Sequence, residues 1–181
     1  MHRLGEVASI GVSIVTGAND FFTVSDDVLS QYDLKRWALP LLGRTAESSG
    51  IVFKQSDLMN ARKIGKRLWI LDFSADKPDP MKFAGPRKYL AMGKELALPG
   101  RYECRIREPW YRVPDVRYDS LMLSKRAHQS HRLILNQAKA HTTDTIYRGK
   151  MRRPFGTWKR SLIAGFHNSM TILPRPEIFP Q

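Results

Sequence analysis

The sequence holds one cysteine, Cys104, among its 181 residues. An internal disulfide is therefore excluded, and a lone thiol fits a reducing, cytoplasmic compartment. Long apolar runs are missing too, so no membrane span and no membrane partner are expected. The opening MHRLGEVASIG has no extended apolar core before a cleavage site, and no secretory leader is expected from it. Phosphate-cradling loops are absent: no GxxxxGK[ST] occurs, and no GxGxxG follows a strand-like run. Histidines are few. His128 and His131 lie three apart, but Cys104 and His141 are distant as further ligands, so no metal site is expected. No Ser-His-Asp set can be assembled from spacing, and no catalytic residue is assigned.

Negative charge is the other scarcity. Asp and Glu number 17 against 30 Lys and Arg, for a net charge of +13. The excess is local: residues 85–153 hold 16 basic against 6 acidic residues, and residues 1–84 hold 11 against 10. One face meeting a phosphate backbone would give such a distribution. A solvated basic surface is the alternative.

What is present reads as α+β, a mostly antiparallel mixed sheet with a few flanking helices, in a single domain over residues 1–181. In EVASIGVSIVTG, Ile10, Val12 and Ile14 alternate with Ser9, Gly11 and Ser13, as in a half-buried strand. FFTVS is expected to pair with it across the turn TGAND. There Gly17 and Asn19 tolerate positive φ, and Asp20 is expected to cap the turn through its side chain. Ser25 is expected to cap a helix reaching about Asp33. RLWILDF predicts a central strand, SADKPDPMKFAG a loop, and Pro86 the first turn of a helix carrying Tyr89, Leu90 and Leu96. RYECRIREPWYRVP alternates again. As a strand it would bury Tyr102, Cys104 and Ile106 and line up Arg101, Arg105 and Arg107 in solvent. HRLILNQ and TTDTIYRG predict two more strands. Leu162, Phe166 and Met170 mark a helix face, and residues 174–181 an extended tail.

Four blocks, GVSIVTGANDFFTV, YECRIREPWYRVP, RLILNQAKAHTTDTIYRG and FHNSMTIL, follow one another in that order. Together they make the chain, from about Ile10 to Leu173, resemble the C-terminal half of adenine-specific (N6) DNA methyltransferases of restriction-modification systems. In that family a catalytic domain precedes a target recognition domain. The catalytic half carries a glycine-rich cofactor loop and an Asn-Pro-Pro-Tyr tetrapeptide, and this sequence has neither. The resemblance therefore implies a DNA-reading module, either excised from a methyltransferase or encoded as a remnant. Its expected partners are double-stranded DNA and a catalytic methyltransferase domain or chain. No cofactor is expected in this chain, while S-adenosylmethionine is expected for the full enzyme.

The residues expected to meet DNA are Arg105, Arg107, Trp110, Tyr111, Arg112, Asn136, Thr143, Thr145, Tyr147 and Arg148. The arginines can neutralise phosphates or reach guanine edges. Asn136 can read adenine or close a polar strand end. Trp110 and Tyr111 can stack on bases or belong to the core. The alternative to the whole reading is a basic, non-catalytic module docking on RNA or protein.

Overall fold

A computed structural model of the chain describes residues 4–48, 50–62, 67–126 and 131–152. The elements run α1 (Leu4–Val7), β1 (Ala8–Gly11), α2 (Asn19–Phe22), β2 (Thr23–Val24), α3 (Asp26–Gln31), β3 (Ala38–Pro40), β4 (Val52–Phe53) and α4 (Gln55–Arg62). They continue with β5 (Trp69–Leu71), α5 (Ala84–Glu95), α6 (Tyr102–Arg105), β6 (Leu121–Ser124), β7 (Leu133–Asn136) and β8 (Ile146–Met151). The α+β class expected from the sequence holds. A five-stranded sheet has the order β1-β8-β6-β7-β4, and a three-stranded sheet the order β2-β5-β3. All pairs are antiparallel except β4–β7.

Each sheet has its own core. Trp37, Phe22, Phe73, Ile70 and Leu71 pack with Tyr89 and Leu90 of α5 beside the smaller sheet. Leu42, Phe53, Met122, Ile134 and Ile146 pack with Leu58 and Ala61 of α4 beside the larger one. The apolar run at 69–71 becomes the middle strand of its sheet, as its lack of a polar face implied. Pro86 sits in the first turn of α5, where its missing N–H costs nothing. Leu96 falls just past that helix and is exposed rather than buried with Tyr89 and Leu90. Ser25 occupies the N-cap position of α3 but its side chain makes no capping hydrogen bond, and the helix stops at Gln31 because Asp33 takes a left-handed φ of 51°.

Three expectations are corrected. The first strand does not pair with FFTVS: Ser9 lies opposite Lys150 and Ile10 opposite Gly149. Asn19–Phe22 instead form one helical turn, and Thr23–Val24 join the other sheet against Trp69 and Ile70. Residues 102–105 are helix, not strand. Pro99 and Gly100 close a preceding 3-10 turn, and a run of six residues is too short for alternation to exclude a helical period. Tyr102 and Ile106 consequently lie in solvent, at 66% and 63% exposure, while Cys104 is fully buried as expected. Asp20 caps nothing; it pairs with Arg67. The helix expected around Leu162–Met170 and the tail 174–181 lie outside the described residues, as does His128.

His141 ties the two layers together. Its N–H donates to the Pro40 carbonyl (2.7 Å), and Leu42 N–H donates to the His141 carbonyl (2.9 Å). Nδ1 lies 3.1 Å from Pro40 O, which can only accept, so Nδ1 carries the proton. Burial pushes the imidazole pKa below its ordinary 6.5, against the opposing pull of the Pro40 carbonyl and Asp72. The fold thus favours the neutral ring, and the unfolded chain binds the extra proton. Stability should fall as pH drops below the ordinary value of 6.5. The loss of melting temperature between about pH 7.5 and about pH 5.5 should shrink in His141→Gln. An unchanged loss would assign the acid sensitivity to other groups.

Candidate nucleic-acid interface

The three most distinctive sequence blocks meet at the turn Val15–Asn19. Gly17 bends it with a φ of 74°, a conformation open to glycine and strained for other residues. Thr16 Oγ1 accepts from Ala18 N–H (3.2 Å) and donates to Asn19 Oδ1 (2.6 Å). On one side Asn19 Nδ2 donates to Asp144 Oδ1 (3.0 Å), and Ser13 and Thr142 share a hydroxyl contact at 2.7 Å. Ile14 N–H donates to Thr142 O and Asp144 N–H to Ile14 O, at 3.2 and 3.0 Å. On the other side Arg107 spans two turn carbonyls, Nη2 to Val15 O (2.8 Å) and Nη1 to Thr16 O (2.9 Å). Arg101 reaches Gly17 O at 3.3 Å. Residues about 90 and about 125 positions downstream are thereby fixed to one turn of chain.

A cleft of about 750 Å³ opens beside this turn. Asn19, Asp20, Leu41, Arg44, Arg67, Thr143 and Thr145 are among its lining residues. Arg67 and Asp20 form an exposed ion pair across it. Glu47 turns inward to accept from Gly43 N–H and Arg44 N–H, at 3.2 and 3.3 Å. Thr145 Oγ1 donates to Gly43 O (3.1 Å) and lies 3.2 Å from Thr143 Oγ1. Among the described residues that line the cleft, none is aromatic. Two guanidiniums, Arg44 and Arg67, and two carboxylates, Asp20 and Glu47, line it.

The model of the family "Type II methyltransferase M.Eco57I, C-terminal domain" matches residues 1–175. The chain belongs to this family. No curated protein matches it. No helix among the described residues is long and apolar enough to cross a membrane.

In this methyltransferase C-terminal domain the residues singled out from the sequence fall into two groups. Arg105, Arg112 and Thr145 are exposed, and Tyr147 is half-buried with the Lys125 ammonium 6.0 Å from its ring centre. These are open to a ligand. The others are engaged within the protein. Arg107 holds the turn, and its burial pushes the guanidinium pKa down against the pull of Cys104 and Glu103. Arg148 pairs with Asp115 and lies 3.8 Å from Asp119. Asn136 Nδ2 donates to Asp119 O (2.9 Å) and Ala140 O (2.7 Å), and its Oδ1 accepts from Ala140 N–H (2.9 Å). That closes the loop after β7, the plainer of its two readings. Trp110 and Tyr111 pack against the first core, with ring centres 5.7 Å from Phe21 and Phe73 respectively. Thr143 is buried in the floor of the cleft.

The sequence reading missed Arg44 and Arg67, which lie in the nearly neutral first half where charge density gave no signal. Arg132, expected in the basic flank facing DNA, instead donates to Thr45 O (2.7 Å) and Ser48 O (2.8 Å). Cys104 rests against the turn, and burial pushes its thiol pKa up, away from nucleophilic chemistry.

Proposed function

We propose that this C-terminal domain binds duplex DNA as the target recognition part of an adenine-N6 methyltransferase. S-adenosylmethionine and the methyl transfer belong, in this reading, to a separate catalytic part. The observation that carries the proposal is the state of the basic residues in the second half. Arg107, Arg132 and Arg148 are spent on internal partners. Arg105, Arg112, Lys125, Arg126, Lys139, Lys150 and Arg152 are exposed. A DNA methyltransferase must hold a polyanion, and an exposed cation set supplies the sequence-independent share of that affinity. The cleft wall adds the exposed Arg44.

Replacing Arg105 and Arg112 together by alanine should weaken duplex binding. The slope of log affinity against log salt should flatten by about 1.8, at about 0.9 per lost phosphate contact. Lys35→Ala with Lys54→Ala, also exposed but in the first half, should leave the slope unchanged. Fluorescence anisotropy from low to moderate salt measures both. Equal losses from the two pairs would make the charge a diffuse solubilising coat.

A further inference from the structure

α6 is an unusual place for apolar exposure. It is pinned from below: Cys104 is buried against the turn, Arg101 holds Gly17 O, and Arg107 holds Val15 O and Thr16 O. Ile106 N–H donates to Tyr102 O (3.4 Å), so the two side chains stand one helical turn apart on the same side. Both are more than three-fifths exposed. Arg105 N–H donates to Arg101 O (2.8 Å), which sets a second stripe, of two exposed guanidinium-bearing residues, beside the first. The surroundings are basic as well, with seven Lys and Arg against three Asp and Glu between residues 87 and 112.

We infer that Tyr102 and Ile106 form a rigid apolar knuckle that enters DNA at an opened base step, with Arg105 on a flanking phosphate. The inference rests on the DNA-binding reading above and names what one part of that surface does. Its basis is complementarity. An opened step is apolar at its centre, where base faces are uncovered, and anionic at both edges. The knuckle is apolar at its centre and cationic along its edge. Wedges of this kind stay inserted only when their base does not yield, and three hydrogen bonds to one turn supply that stiffness. Tyr102 offers a ring face to a base, and Ile106 fills the space beside it. A protein partner would not require the arginine stripe.

The test uses the whole chain and two duplexes of the same sequence, one fully paired and one with a single abasic position. The abasic duplex is already open and spares the cost of unstacking. The wild-type chain should bind it about tenfold more tightly, the scale of one aromatic–base stack. Tyr102→Ala with Ile106→Ala should lose that preference while binding the paired duplex with the wild-type salt slope. Tyr102→Phe with Ile106→Leu should keep it. Because both side chains are exposed, circular dichroism should show the variants folded. A preference that survives the double alanine variant would overturn the knuckle. So would a wild-type chain that binds both duplexes equally with a steep salt slope, though the DNA-binding reading would then stand. No salt-dependent binding of either duplex would remove both.

Discussion

Gly17→Ala is expected to lower the stability of the chain by about 3 kcal/mol, from left-handed strain of about 1 kcal/mol and overpacking of about 2 kcal/mol. The strain follows from the φ of 74°. The overpacking is specific. A Cβ on residue 17 would stand 2.5 Å from Glu103 Cβ and 3.4 Å from Cys104 Sγ. Glu103 Cβ is bonded directly to the helix backbone and has no torsion that could move it aside. α6 must therefore shift as a body, and the Arg107 and Arg101 bonds to the turn stretch with it. Urea unfolding followed by tryptophan fluorescence measures the loss. A change below about 1 kcal/mol would mean that the turn absorbs the methyl by itself, and that α6 is not held to it as tightly as its hydrogen bonds imply.

That close approach explains which parts of the site could be read from the sequence. Gly17 and its positive φ were legible, because a glycine between two apolar runs has few other uses. The middle strand at 69–71 was legible because a short run without a polar face must be buried on both sides. The partner of the first strand was not. Ser9 faces Lys150 across the whole described chain, and local alternation carries no information about so distant a neighbour. At 101–107, strand and helix readings agree on Cys104 and disagree on Tyr102 and Ile106. Pro99 and Gly100, which end one turn and start the next, were the signal that favoured helix. The arginines were misplaced for a different reason. Charge pattern assigns guanidiniums to solvent, yet Arg107, Arg132 and Arg148 are each bound to backbone carbonyls. A carbonyl is common to every residue type, so such a partner leaves no trace in sequence. The Arg67–Asp20 pair was hidden likewise, since Asp20 read equally well as a turn cap.

Arg107→Leu separates the structural and DNA-binding roles of this arginine most sharply. Its side chain is 7% exposed, and its two terminal nitrogens serve Val15 O and Thr16 O at 2.8 and 2.9 Å. Leucine keeps apolar bulk but leaves both carbonyls without that donor, at about 1–3 kcal/mol each. Two terms offset part of this. The buried Nε has no partner among the described residues, so removing it recovers its desolvation cost. Glu103, 4.0 Å away and 40% exposed on its side chain, is not stranded when the cation leaves. The expected net loss is about 3 kcal/mol, seen as a lower urea midpoint at constant slope. Arg107→Lys should recover less than half of it, because a single ammonium does not reproduce the planar fork that spans two neighbouring carbonyls. The DNA measurement then runs opposite to that for Arg105 and Arg112. Corrected for the folded fraction, Arg107→Leu should bind duplex with the wild-type salt slope, since a guanidinium this enclosed reaches no phosphate. A flattened slope with unchanged stability would reverse the assignment and put Arg107 on the nucleic acid.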